Sequence, residues 1–139
     1  MRRSRPLLPL LFTLALTGAA CESTSNYEPP SPGALPKSDW EEKILFSAPV
    51  KNHLIIQEVR EARQNGLLRV QVDLRNVHPS ETSFRTLIEW FDAGGFKLDS
   101  PNDGWMSHIL QANQHSSVGA SAVNPNAVTW RMNVDAWAR

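Results

Sequence analysis

LLRVQVDLRN (67–76), VHPSE (77–81) and TSFRTLIEWFDAGG (82–95) form the stretch that decides the fold class. Leu68, Val70, Val72 and Leu74 alternate with Arg69, Gln71, Asp73 and Arg75. Side chains on a strand point to opposite faces in turn, so this pattern gives one apolar face and one charged face. Pro79 has no N–H to donate, and the small polar residues around it favour a turn. Beyond it, Phe84, Ile88 and Trp90 share one face of a second strand, with Leu87 and Phe91 on the other. The spacing predicts two strands folded back on each other as a hairpin, ending at Asp92-Ala93-Gly94-Gly95.

Working outward, Asn65-Gly66 precedes this stretch and readily takes the positive φ angles of a tight hairpin turn. The residues before it, His53 to Arg63, could form a strand or a short helix; the Asn-Gly pair favours the strand. Downstream, short strands are expected at Gly95–Leu98, Trp105–Leu110, Val118–Val123 and Val128–Val134, with Met106 or Ile109 turned inward in the second of these. Gln111–Ser117 is expected as polar loop, and Ser100–Gly104 and Asn124–Asn126 as turns. About seven strands with turn signals every 8–12 residues or so describe an all-β, immunoglobulin-like antiparallel β-sandwich. Trp90 is then the buried tryptophan of a central strand. Cys21 is the only cysteine, so no disulfide can join the two sheets within one chain.

The N-terminus carries a different signal. MRRSR is followed by an apolar run from Leu7 to Leu16, then by Thr17-Gly18-Ala19-Ala20 and Cys21. The run is far shorter than the ~20 residues that span a bilayer, and the pattern is that of a secretory signal peptide over residues 1–20. Small residues directly before a cysteine resemble the bacterial lipobox, in which the thiol takes a diacylglycerol and the freed amine an acyl chain. Gly18 stands where leucine is more usual. An exposed lone thiol is a liability in an oxidising compartment, whereas an acylated one is a membrane anchor. Cys21 is therefore the expected lipidation site. Glu22, rather than an Asp, favours the outer membrane, with the domain facing the periplasm. Residues 21–39 hold Pro29, Pro30, Pro32 and Pro36 and little that is apolar, which predicts an extended tether ahead of a domain over 40–139.

Charge and composition limit the function. Removing Arg2, Arg3 and Arg5 from the 14 Lys and Arg leaves 11, against 14 Asp and Glu. Without clustered cations the mature chain is not expected to bind nucleic acid, because nothing would replace the phosphate counterions. His53, His78, His108 and His115 are scattered, with no spacing that suggests zinc. Asp99–Gly104 lacks the oxygen ligands of a calcium loop, since Pro101 and Leu110 stand where ligands belong. Gly119–Val123 lacks the final glycine and helix of a nucleophile elbow. Asp92, before Gly94, is expected to bond turn amides. Neither metal nor small-molecule cofactor is expected, and no catalytic set can be nominated.

Five tryptophans (40, 90, 105, 130 and 137) exceed what a small core needs. Trp105 and Trp137, set among polar residues, are the candidate partner-binding residues, since surface tryptophan favours interfaces. Three readings follow: a tethered non-catalytic module that binds another envelope protein, a passive structural lipoprotein, and an enzyme with an unrecognised site. The first is the expectation.

Gly66–Asn76, then Ile88-Glu89-Trp90-Phe91-Asp92-Ala93-Gly94-Gly95, Trp105 and Asn124-Pro125-Asn126-Ala127 resemble the YcfL-like family of predicted periplasmic lipoproteins. The resemblance covers roughly residues 54–134. It implies the sandwich fold and an envelope location, and no activity is established for the family. Members are often encoded beside an outer-membrane lipoprotein that activates peptidoglycan synthases, which implies a link to peptidoglycan synthesis or envelope maintenance.

Overall fold

The computed structural model describes residues 31–101 and 103–137. The signal peptide, Cys21 and the tether up to Pro30 lie outside the described residues. The described chain runs α1 (Lys37–Trp40), β1 (Ile44–Phe46), β2 (Leu54–Gln64), β3 (Leu67–Asn76), β4 (Thr82–Phe91), β5 (Lys97–Leu98), β6 (Met106–Leu110), β7 (His115–Ser121) and β8 (Thr129–Ala136). One sheet has the order β2-β3-β7. The other has the order β1-β8-β4-β5, with β6 also on β4. The protein is an all-β sandwich. No helix of the described residues is long and apolar enough to cross a membrane.

The β2–β3 hairpin forms where expected. Asn65 and Gly66 take φ of 53° and 80°, the two positive values a tight two-residue turn requires. The register runs from Gln64 opposite Leu67 to Leu54 opposite Asn76, with one irregularity between Ile56 and Glu58.

The predicted hairpin over 67–95 does not form. β3 pairs with β2 and β7, whereas β4 pairs with β5, β6 and β8 in the opposite sheet. The reason lies in the apolar faces. A hairpin would place both rows on one side of a single sheet and leave a further layer to be found. In opposite sheets, Leu68, Val70, Val72 and Leu74 face Phe84, Ile88 and Trp90, and all seven are buried. Such a crossing between consecutive strands is what an immunoglobulin-like sandwich does at its centre.

Three further points correct or refine the expectation. β1 runs parallel to β8, with Ile44 opposite Met132, so the ladders are not antiparallel throughout. In β6, Met106 shares the inward face with His108 and Leu110, opposite Thr86, Phe84 and Thr82, but only Leu110 is fully buried. Met106 borders open space and stays 41% exposed, and Ile109 is exposed on the outer face. β7 begins at His115, which takes in the end of the expected polar loop.

Order also begins before Trp40. Leu35 N–H donates to Val59 O at 2.8 Å, and Glu61 N–H to Gly33 O at 3.0 Å. Ser31 donates through its N–H and its hydroxyl to the Glu58 carboxylate, at 2.9 and 3.0 Å. Gly33 sits at φ 81°, and a Cβ there would lie 3.1 Å from Glu61 O, so glycine permits this close approach. The last residues of the expected tether thus cover the edge of β2.

Trp90 and Trp130 are 3% and 2% exposed and dominate the core. The indole N–H of Trp130 donates to Glu61 Oε2 at 2.8 Å, which pairs the one polar atom of a ring otherwise buried in apolar surroundings. Lys43 lies 3.7 Å from the same carboxylate oxygen.

Candidate functional site

The two flanks where the sheets fail to meet are where the fold leaves open surface. On one flank, β6 pairs with Thr82–Thr86 of β4, and β5 with Trp90 and Phe91. Between them, Leu87, Ile88 and Glu89 have no strand beside them on that side. Across the gap, β7 contributes Gly119, Ala120 and Ser121, too small to close it. The result is a groove of about 380 Å³, lined by Ile88, Trp90, Gly104, Trp105, Met106 and those three residues. No lining residue is titratable. The groove can hold an apolar side chain, but its walls offer no acid, base or charged group.

Trp105 stands at its rim, 43% exposed. The Arg85 guanidinium lies 4.6 Å from the ring centroid, within cation–π range. Arg85 also donates to Asp135 Oδ2 from Nη2 at 2.7 Å and from Nε at 3.3 Å. The hydrogen bond from Arg85, then one from Ser47, holds the Asp135 carboxyl below the usual range. This chain of contacts runs from Trp105, just before β6, over β4 to β8.

Trp137, the other candidate, follows β8 and is half-buried. Its N–H donates to Ser83 O of β4 at 3.3 Å. Thus β4 lies between Trp105 and Trp137, and only Trp105 reaches the groove. Cys21 lies outside the described residues.

A second groove, of about 580 Å³, opens on the opposite flank. Trp40, Ile44, Leu45, Phe46, Ile55 and Ile56 line it, with Lys37, Glu41 and Lys51 around them.

Several ionisable side chains elsewhere hold strands together. Asp73 accepts from Arg60 at 2.7 Å, from Gln71 at 3.1 Å and from the Ser117 hydroxyl, which ties β2, β3 and β7 across their outer face. Burial opposes ionisation of Asp73, but these hydrogen bonds and the Arg60 charge outweigh it, and its pKa falls below the ordinary value. Glu89 shows the same balance, with Lys97 at 3.0 Å and Asn133 at 3.0 Å. His108 is pushed the other way. Burial holds its imidazole neutral, against Thr86 Oγ1 at 2.8 Å and stacked on Phe84 at 5.0 Å. Asp92 bonds turn amides as expected, accepting from Gly94 and Phe96 N–H at 2.9 Å each. Among the described residues no three His, Cys, Asp or Glu side chains stand close enough to hold a metal ion.

Sequence reasoning missed the groove and one polar hub. Asn76 is fully buried. Its Nδ2 donates toward Ser80 O, Leu110 O and Gln111 O, at 2.9, 3.0 and 3.1 Å. Its Oδ1 accepts from His78 N–H at 3.0 Å and from Thr82 Oγ1 at 3.1 Å. One side chain thereby ties the β3–β4 crossing to the β6–β7 crossing. The signal for it was available, since Asn76 continues the inward register of Leu68, Val70, Val72 and Leu74.

These features define an immunoglobulin-like sandwich with an apolar, uncharged flank groove. The chain belongs to the family described as "Protein of unknown function (DUF1425)", whose model matches residues 42–136. Among solved structures it is similar to Campylobacter jejuni cj0090, with a TM-score of 0.60 and 20% identity over 68% of this chain and 98% of that one. It is also similar to a DUF1425 family member from Shewanella sp. pv-4, with a TM-score of 0.56 and 21% identity over 62% of this chain and 80% of that one. At these identities the likeness concerns the fold. No curated protein sequence matches the chain.

Proposed function

We propose that this protein is a YcfL-like lipoprotein of the bacterial cell envelope, anchored through Cys21 in the outer membrane, whose domain binds another envelope protein without catalysis. The observation that carries the binding role is the groove between β7 and the β5/β6 edge. It is apolar, lacks titratable groups, and has the exposed Trp105 at its rim. Such a site supplies binding area, and its one hydroxyl, on Ser121, has no acid or base among the lining residues to activate it. The lipobox-like Thr17–Cys21 and the proline-rich residues after it support the anchor and the envelope location. The YcfL-like resemblance supports peptidoglycan synthesis or envelope maintenance as the process served.

The test is crosslinking in intact cells. A photoreactive residue replacing Met106, in the groove, is expected to yield a discrete adduct with an envelope protein. The same residue at Ala62, on the far strand β2, is expected to yield none. Adducts of equal yield from both positions, or from neither, would refute the assignment of the groove.

A further inference from the structure

The groove runs along an open strand edge. β7 pairs only with β3 among the described strands, so one edge of its seven residues lacks a strand neighbour. The other sheet ends differ. The middle of β2, Glu58–Glu61, is covered by Ser31–Leu35, β1 is three residues long and β5 two. β6 is open too, but shorter, at five. Natural edges are commonly blunted by lysine, proline or a bulge. β7, with the sequence HSSVGAS, has neither residue, and its register with β3 runs unbroken from Arg69–Ser121 to Arg75–His115.

A concavity lies on each side of this edge. Toward the interior, beside Ala120, is the apolar groove with Ile88, Trp90 and Met106. On the outer face, beside Gly119 and Ser121, is a smaller polar hollow of about 280 Å³ lined by Arg69 and Gln71. Arg69 donates to Gln64 Oε1 at 2.9 Å and forms no ion pair with any described carboxylate. A strand laid along β7 would send successive side chains alternately to these two places, because its period is two.

We propose that β7 accepts an extended polypeptide segment of the partner as an added strand, with apolar residues entering the Ile88/Trp90/Met106 groove and acidic residues meeting Arg69 on the outer face. Backbone hydrogen bonds to β7 supply affinity, and the two concavities select the alternating pattern. The proposal rests on the binding-module reading and specifies the partner's chemistry.

The test uses the full chain purified from membranes in a nonionic detergent, with two synthetic heptapeptides, Leu-Glu-Leu-Glu-Leu-Glu-Leu and its Lys-for-Glu counterpart. Hydrogen exchange read by mass spectrometry is expected to show saturable protection of residues 115–121 by the Glu peptide. Its dissociation constant should be roughly fivefold lower than that of the Lys peptide, the scale of exposed charge pairs. Arg69→Glu should reverse the preference while leaving the melting temperature near that of the parent chain. No protection of 115–121 by either peptide overturns the proposal. So does protection confined to the residues around Trp105 and Trp137, which would leave the binding-module reading standing. Protection of 115–121 that grows with protein concentration alone would assign the edge to a second copy of this chain, and also overturns it. Failure of the Met106 crosslink in cells is a separate outcome, and counts against the binding-module reading itself.

Discussion

Asn76→Ala is expected to destabilise the domain by about 3–7 kcal/mol. The figure follows from which of its partners water can reach. Ser80 and Gln111 are exposed residues, so solvent can replace much of what their carbonyls lose. The amide has two hydrogens for three carbonyl acceptors, so those contacts are shared and should not be counted as three full bonds. Leu110 O and the Thr82 hydroxyl are different, because their bonds to Asn76 are buried. Each buried group left without a partner costs about 1–3 kcal/mol, and the partly wet contacts add about another 1 together. The loss also frees both sheet crossings at that end of the sandwich. Urea denaturation followed by tryptophan fluorescence measures the total, since Trp90 and Trp130 are both in the core. A double-mutant cycle with Thr82→Val isolates one bond and should show coupling near 1 kcal/mol. A loss below about 1 kcal/mol for Asn76→Ala, or strict additivity with Thr82→Val, would refute the hub assignment.

Trp90→Ala should cost about 3–5 kcal/mol in the same denaturation assay, the usual penalty for removing a large buried aromatic; a midpoint equal to that of the parent chain would place Trp90 outside the core. His108 sets a pH dependence. Its folded pKa lies below the ordinary 6.5 because burial disfavours the charged ring, so the unfolded chain takes up the proton first. Stability should hold above about pH 6.5, decline as the pH falls from there through the folded pKa, and level off below it, and His108→Gln should remove that component from melting curves taken across pH. Cys21→Ser should release the protein from the membrane fraction with an unchanged melting temperature, and its retention in the pellet would contradict lipidation. Trp105→Ala with Trp137→Ala should weaken capture of the partner found by crosslinking while circular dichroism stays the same; intact capture would confine binding to β7 and the groove floor.

How far the sequence could be read depends on the kind of information each feature carries. Alternation assigned inner and outer faces correctly along β3 and β4, because burying one face is a property of the strand alone. Pairing is not such a property. Two strands with matched apolar rows satisfy the pattern equally well as a hairpin or facing each other across a core. What separates the alternatives here is Asn76, a polar side chain in the inward register that needs carbonyls from the β6–β7 crossing, 34 and 35 residues later. In a hairpin those partners would have no reason to be near. The inward residues of β6 were hidden for a related cause. Hydrophobicity points to Met106 or Ile109; Met106 is on the inward face but stays exposed because it borders the groove, and Ile109 is on the outer face. His108 is accepted inside because Thr86 hydrogen-bonds it and Phe84 stacks on it. The groove itself was the least legible feature. It is made of missing bulk at Gly104, Gly119, Ala120 and Ser121, beside Ile88 and Trp90 from a distant part of the chain. Read along the sequence, each small residue looks like an ordinary strand or turn position. Only the crossing of consecutive strands between sheets brings them to one flank, so the same misjudged connection that turned a crossing into a hairpin also concealed the site.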